Sequence, residues 1–310
     1  RVEDLDTAGA VLLVGTNPRA ESPVLNSRIR KAWLAGAEVG MVGEPVDLTY
    51  PVQSLGETPD ALTGQSRGKI VEHMKGATDP VIVIGQGALA REDGAAILGT
   101  VMAMAEEIGA GMLVLHTAAG RVGAMDVGFT HQGGWDGALG GAEVIYNLGA
   151  DERDMPDGAF VIYHGHHGDR GAHRADVILP GAAYPEQPGL YVNTEGRVQM
   201  AFRAGFPPGD AREDWAIIRA LSAELGATLP FDSLDALRRQ LFAAHPHLQE
   251  IDRIAEAEWR PVPAGEMGAA PLRSTVRDHF LTNAVARASE TMAELSRLAQ
   301  ERRQTALAAE

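Results

Sequence analysis

The chain of 310 residues contains no cysteine. It therefore cannot hold an all-thiolate iron–sulfur cluster, use a thiolate nucleophile or close a disulfide. Aromatic residues make up only 5% of it against 45% hydrophobic residues overall, so the core must be built from Ala, Val, Leu and Ile. Positive charge is scarce: 27 Lys+Arg stand against 42 Asp+Glu, a net charge of −15. Such a surface repels phosphate backbones and argues against a nucleic-acid partner; it fits a soluble protein. No run of about 18 apolar residues occurs, so no transmembrane helix is expected. No signal peptide is visible, and the opening Arg1-Val2-Glu3 reads as a chain cut in mid-sequence. A G-x-S-x-G elbow, a P-loop lysine motif and a tandem repeat of fixed period are all missing.

What is present has the pattern of repeated strand–helix units. Residues 10–15 form a continuous apolar run, as expected of a parallel strand covered on both faces. Ser22-Pro23 reads as a helix N-cap followed by proline at the first helical position. Leu25, Ile29, Ala32 and Trp33 then share a helical face, Gly36 ends the helix, and 38–42 is the next strand. Residues 43–79 are punctuated by Pro45, Pro51, Gly56, Pro59 and Gly64, which places a domain crossing near 56–60. Further strands are expected at 80–85, 112–116, 144–148 and 160–163, with a helix over 91–108 stopped by Gly109; residues 117–141 are glycine-rich loop with one short helix. Residues 175–199 close this α/β part: a short strand at 177–179, ended by Pro180-Gly181, then an extended run at 191–194 stopped by Glu195-Gly196.

After residue 199 helices take over. Asp210-x-x-Glu213 resembles a capping box ahead of Trp215, Ile218, Leu221 and Leu225; Asp232 or Ser233 caps another helix, stopped by Pro246. Residues 260–272 read as linker. A last helix from about 283 carries Val285, Ala288, Met292, Leu295 and Ala299 at spacings of three and four. This seam is too short for a stable coiled coil and must dock, either on its own domain or on a neighbouring subunit. The expected divisions are 1–56, the end of a first α/β domain; 57–226, a second α/β domain; 227–259, a helical extension; 260–280, a linker; and 281–310, a C-terminal helix.

Three places invite chemistry. Gly85-Gln86-Gly87-Ala88-Leu89-Ala90 follows a strand and fits G-x-G-x-x-A, the turn that holds a pyrophosphate at a helix N-terminus. The acid about 20 residues on is missing, because the next strand ends in His116-Thr117. A tight strand-to-helix turn is the alternative. His164-Gly165-His166-His167-Gly168-Asp169, with His173, is a possible zinc site, although adjacent His166 and His167 tend to diverge in extended chain. A hydrogen-bonded glycine loop is the other reading. Asp151-Glu152-Arg153-Asp154 offers paired carboxylates or, lacking a partner motif, a solvated loop.

The segments 12–19 (LLVGTNPR), 120–128 (GRVGAMDVG) and 176–199, with its ADV-LP and NTEGRVQ stretches, resemble molybdopterin oxidoreductases in the same order. The segments 27–33 (SRIRKAW), 45–50 (PVDLTY), 165–169 (GHHGD), 211–215 (AREDW) and 287–293 (RASETMA) resemble the large iron–sulfur subunit of respiratory complex I. This resemblance implies an α/β fold of helix-covered parallel sheets with a helical C-terminal part. It implies [2Fe-2S] and [4Fe-4S] clusters carried upstream of Arg1, and none here. It also implies other peripheral-arm subunits as partners, including the flavin- and NADH-binding one. The place implied is peripheral to the inner membrane, on the bacterial cytoplasmic or mitochondrial matrix side. In that family this region is regarded as having lost its cofactor, so neither Gly85–Gly87 nor His164–His167 is expected to be a working site, and no catalytic, cofactor-binding or metal residue is assigned. The alternative is a piece of a working molybdopterin enzyme, such as a formate-dehydrogenase-like protein. That would need a metal ligand upstream and a larger C-terminal β-barrel.

Overall fold

The computed structural model describes residues 1–258 and 260–307, with the backbone alone from 303. Trp259, at the end of the expected helical extension, and the last three residues of the expected C-terminal helix lie outside it. The chain divides into two compact units, and no described helix is long and apolar enough to cross a membrane.

The first unit comprises Arg1–Arg121, Thr194–Gly196 and Glu256–His279. Its elements are β1 (Ala10–Val14), α1 (Pro18–Glu21), α2 (Pro23–Leu34), β2 (Glu38–Val42), β3 (Gln53–Gly56), α3 (Gly64–Lys75), β4 (Val81–Ile84), α4 (Gln86–Leu89), α5 (Gly94–Ile108) and β5 (Gly111–Val114). The strands form one parallel sheet in the order β3-β2-β1-β4-β5. The unbroken apolar character of β1 and β4 has a plain cause. Ala10, Leu12, Val14, Ile82 and Ile84 pack with Ile70 and Met74 of α3 and with Ile97, Val101 and Met104 of α5. Val11, Leu13, Val81 and Val83 pack on the opposite face with Leu25 and Ile29 of α2. Both faces are buried, so no polar residue alternates. Gly109 closes α5 in the left-handed conformation, with φ 76°. Ser22 and Pro23 occupy the expected positions at the start of α2, but the Ser22 hydroxyl makes no capping bond.

Two expectations need correction here. The domain crossing near 56–60 does not exist: β3 ends at Gly56, and β4 lies in the same sheet. The prolines and glycines there shape the β2–β3 connection and a 3-10 turn over Pro59–Leu62. Nor is 260–280 a free linker. Leu272 is fully buried in the first core, its N–H donates to Glu57 O at 2.8 Å, and its carbonyl accepts from Glu44 N at 2.9 Å. The segment has no helical or strand period, so nothing in its pattern announces that it packs.

The second unit comprises Val122–Asn193, Arg197–Ala255 and the chain from Phe280. It contains α6 (Arg121–Asp126), α7 (Gly134–Leu139), β6 (Val144–Leu148), β7 (Phe160–Gly165), α8 (Arg170–His173), β8 (Val177–Pro180), β9 (Gly189–Val192), β10 (Val198–Ala201), α9 (Asp214–Glu224), α10 (Leu234–Ala244), α11 (Ala284–Arg287) and α12 (Glu290–Leu307). Strands β6-β7-β8 make a parallel sheet. One of its faces is covered throughout, with Ile145, Val161 and Tyr163 buried; on the other Val144, Leu148 and Phe160 are exposed, and only the end at His164 is buried. This corrects the expectation that 144–148 and 160–163 lie wholly between helices.

The run at 191–194 does not end the β structure. The chain turns at Gly196, with φ 83°, and returns as β10, antiparallel to β9. That hairpin packs with Leu241, Phe242 and Leu248, so the helical stretch after 226 belongs to this unit and is not an extension of it. The Asp210-x-x-Glu213 box is not formed, because α9 starts at Asp214 with Glu213 at its N-cap position. Glu213 instead accepts from Trp215 Nε1 at 2.6 Å and pairs with Arg203 at 3.1 Å. Ser233 does cap α10, accepting from Ala236 N at 3.2 Å. The single C-terminal helix is in fact two, broken at Ala288–Ser289. The seam is broken with it: Val285 and Leu295 are about two-fifths exposed (39% and 40%), while Ser296 is buried and Met292 and Ala299 are half-buried.

Candidate functional site

In an open α/β sheet the ligand crevice lies at the carboxyl ends of the strands, where the strand order reverses. In the first unit the chain adds β2 and β3 on one side of β1, then β4 and β5 on the other. The switch point is therefore between β1 and β4, and its walls are the turns Gly15-Thr16-Asn17 and Gly85-Gln86-Gly87. These turns close on each other. A Cβ on Gly15 would lie 2.6 Å from Ala88 N, and one on Gly85 or Gly87 would lie 2.9 Å or 2.5 Å from Gly15 O. Glycine is required at all three by this approach, and Gly15 also has φ 55°.

What space remains is taken by two pieces of the chain itself. The Glu21 carboxylate from α1 accepts from Thr16 Oγ1 at 2.8 Å, Asn17 N at 2.9 Å and Ser274 Oγ at 2.6 Å. A Cβ on Gly85 would meet Glu21 Oε2 at 2.9 Å. The second piece is the strap 268–277. Arg91, beside Asp93 after α4, donates to the carbonyls of Ala270 and Pro271, and Asp93 accepts from Gly268 N at 2.7 Å. The Arg91 guanidinium holds the Asp93 carboxyl down at about 2. Beyond the buried Leu272, the Arg273 carbonyl covers Gly87, where a Cβ would be 2.1 Å from its oxygen. Ser274 N donates to Glu44 Oε1 at 2.8 Å, and Arg277 reaches the same carboxylate at 3.0 Å. The fingerprint glycines thus face a carboxylate and carbonyl oxygens of the same chain. Gln86 is occupied too: its amide donates to Leu115 O at 2.7 Å and accepts from Arg121 at 3.3 Å. His116, where the acid is missing, is pushed below its ordinary value by burial and by Arg121, and so remains neutral near pH 7.

The histidine loop of the second unit separates into unlike parts. His164 is fully buried; Tyr146 Oη lies 2.7 Å from its Nδ1, and Asp214 Oδ1 3.1 Å from its Nε2. His166 and His167 do not diverge as expected: their Nδ1 atoms are 2.5 Å apart and the rings meet edge to face. Asp169 points elsewhere, capping α8 and pairing with Arg287 Nε, and His173 sits in α8. Among the described residues no three His, Asp or Glu side chains are grouped to hold a metal.

Asp151-Glu152-Arg153-Asp154 is not simply a solvated loop. Asp151 is buried and lies 2.9 Å from Arg287 Nη2, and Glu152 is 3.9 Å from the same nitrogen. Burial and the adjacent Asp151 push the Glu152 carboxyl upward. Glu21, Ser274 and Arg287 were missed by sequence reasoning, because their partners lie as far as 253 residues away or on turns without a motif. Only RASETMA marked Arg287 in advance, and that through resemblance rather than geometry.

Residues 1–224 match the family model of molybdopterin oxidoreductase. Residues 249–295 match the model for the C-terminal region of the G-type subunit of NADH-ubiquinone oxidoreductase. The mitochondrial NADH-ubiquinone oxidoreductase 78 kDa subunit of Candida albicans is 41% identical over 94% of this chain and 43% of its own length. The subunit of the same name from Neurospora crassa is 40% identical over 94% of this chain and 42% of its own. A mitochondrial NADH dehydrogenase [ubiquinone] iron-sulfur protein 1 from Solanum tuberosum is 39% identical, over 96% and 42% respectively. The chain thus spans less than half the length of these relatives while matching each almost throughout its own. Doubly wound fold and matched segments agree: the chain belongs to the molybdopterin oxidoreductase family, and within it is similar to iron–sulfur subunits of mitochondrial NADH–ubiquinone oxidoreductase.

Proposed function

We propose that this chain is the non-catalytic scaffold region of the iron–sulfur subunit of an NADH:quinone oxidoreductase. The whole complex would pass electrons from NADH to quinone and couple this to proton translocation. The [2Fe-2S] and [4Fe-4S] clusters would lie on parts of the protein outside this segment. Its partners would be other subunits of the peripheral arm, among them the one that binds flavin and NADH. Its place would be peripheral to the membrane, on the mitochondrial matrix or bacterial cytoplasmic side. No residue of the segment is assigned a catalytic, cofactor-binding or metal-binding role.

One observation carries the scaffold reading: the switch-point crevice is filled by Glu21 and by the strap residues Arg273 and Ser274. A phosphate-bearing cofactor there would meet a carboxylate and two carbonyl oxygens in place of free N–H groups, and both charge and space oppose it. The residues present do not fit such a group, and no step is derived through it. The loop after β4 is committed to holding the strap.

The test is made in the assembled complex. Ser274→Ala should lower the amount of complex recovered yet leave NADH oxidation per assembled complex unchanged. A several-fold fall in that specific rate would show that the crevice takes part in turnover and would overturn the reading.

A further inference from the structure

In a chain without cysteine, phenol and indole rings are the readiest side chains to give up a single electron. A phenol does so easily only if its proton leaves at the same time, to a base within hydrogen-bond reach. Among the described residues one tyrosine has such a base. Tyr50 donates to the amide oxygen of Asn26 and Tyr163 to the carbonyl of His167, neither of which can keep a proton. Tyr184 and Tyr191 bond to no base among the described residues. Tyr146 Oη lies 2.7 Å from His164 Nδ1.

The pairing follows from the strands. Tyr146 of β6 stands opposite Ile162 of β7, and Leu148 opposite His164. Alternation therefore puts Tyr146 and His164 on the same face, as diagonal neighbours. The start of α9 closes over that end of the face. Asp214 Oδ1 lies 3.1 Å from His164 Nε2, and Gln187 fixes the aspartate through both its carboxylate, at 2.8 Å, and its N–H, at 3.0 Å. Gly181 lets the chain lie against the ring, since a Cβ there would be 2.8 Å from His164 Cδ2. The histidine is thus sealed from water, while Tyr146 is only half-buried. With a carboxylate facing Nε2, the neutral ring keeps its proton there and offers its lone pair at Nδ1 to the phenol.

We propose that Tyr146 is the site of reversible one-electron oxidation in this chain, with His164 as the acceptor of its proton. The oxidant is a small one-electron radical of the peroxyl, carbonate or nitrogen dioxide class. It takes one electron and is reduced; the Tyr146 O–H bond breaks and its proton forms a new N–H bond at His164 Nδ1. The products are a neutral tyrosyl radical and an imidazolium facing the Asp214 carboxylate, which offsets the new charge. Burial of His164 keeps the proton beside the phenoxyl oxygen. One electron from a diffusible reductant such as ascorbate then restores both residues.

A nucleophilic role for Tyr146 is disfavoured. Burial and the negative charge of Asp214 hold its hydroxyl above the ordinary tyrosine value, so the phenolate does not form near neutral pH. The same shift means that the proton leaves with the electron and not before it. Trp215 is the rival donor, because its Nε1–H meets the Glu213 carboxylate at 2.6 Å. A neutral imidazole takes a proton more readily than a carboxylate does, and Glu213 is further committed to Arg203.

The whole protein is oxidised by flash photolysis of a ruthenium tris-bipyridyl sensitiser with persulfate. Radicals are read by transient absorption and electron paramagnetic resonance, in which tyrosyl and tryptophanyl signals differ. Tyr146→Phe should remove most of the tyrosyl signal, whereas Tyr184→Phe and Tyr191→Phe should leave it. The wild-type rate should be independent of buffer concentration and slower in deuterium oxide. His164→Gln keeps a hydrogen-bonding side chain without a base; it should slow Tyr146 oxidation about tenfold or more and make the rate rise with buffer. Melting curves keep misfolding apart from lost chemistry. If His164→Gln unfolds the protein, Tyr146→Phe and the wild-type buffer and isotope measurements decide alone. A radical on Trp215 or another tyrosine, a wild-type rate that climbs with buffer, or indifference to His164→Gln would each overturn the proposal.

Discussion

Single residues carry more of this protein than their chemistry suggests. Gly87 belongs to a phosphate-binding fingerprint, yet its lack of a side chain admits the Arg273 carbonyl of the same chain. Gly87→Ala must push that carbonyl and the Gly15 turn apart. It should destabilise the protein by about 2–3 kcal/mol, read from urea unfolding; a neutral result would mean that the strap yields freely. Arg287 is the counterpart in the second unit, between Asp151 and Asp169. Arg287→Met leaves the buried Asp151 uncompensated and should cost about 3–5 kcal/mol. The double substitution with Asp151→Asn should recover a good part of that, whereas simple additivity would show that the pair is not coupled. Tyr163 lies under the same charges, and burial together with Asp151 and Asp169 pushes its hydroxyl up to about 12. The Arg287→Met variant, with one cation fewer, should shift its ultraviolet titration further upward.

Among the elements, the strap 268–277 behaves least like its sequence. It has no period, and its hold is the Arg91–Asp93 anchor, the buried Leu272 and the Ser274 network. An aspartate in an unfolded chain titrates near about 3.9, and Asp93 in the fold is held at about 2. A carboxylate depressed in this way contributes its stability above the unfolded value and loses it as pH falls through the folded one. The Asp93 contribution should therefore be complete above about pH 4 and gone near pH 2, about 2 kcal/mol in all. The urea midpoint of the wild type should fall across that window, and that of Asp93→Asn should start lower and fall less. The C-terminal element is different again. Burial of Ser296 with Met292 and Ala299 half-buried shows a docked face on α12 that keeps Met292 and Ala299 of the expected seam and has Ser296 in place of Leu295. Met292→Asp should lower the melting temperature of the chain itself, at a cost of about 1–3 kcal/mol. Unchanged melting with poor incorporation into a complex would instead place that face against a partner, and no effect on either would leave α12 a free tail.

At the scale of the whole molecule, the scaffold reading predicts that the purified parent protein holds no molybdenum; elemental analysis finding about one atom per chain would sink it. Zero cysteines, scarce aromatics and five apolar runs were enough to exclude thiolate chemistry and to expect parallel strands near 10–15, 80–85, 112–116, 144–148 and 160–163, where the fold has them within one or two residues. A parallel strand covered on both faces leaves an unbroken apolar run, and that is a local property. The helix stops at Gly109 and Pro246 were legible as local signals too, and so was a cap at Asp232 or Ser233, of which the structure has Ser233. The domain boundaries were not: prolines and glycines mark every turn alike, and only sheet order reveals that β3 and β4 share a sheet. The candidate site was half legible. G-x-G-x-x-A identified a real strand-to-helix turn, and the sequence by itself determined that its glycines leave room for something to approach. What approaches was decided by tertiary structure alone, because Glu21, Arg273 and Ser274 reach the turn from 64 residues before it and nearly 190 after it. Hydrogen bonds of that sequence separation leave no periodicity behind them, and so the same fingerprint reads as a ligand cradle in one dimension and as a filled joint in three.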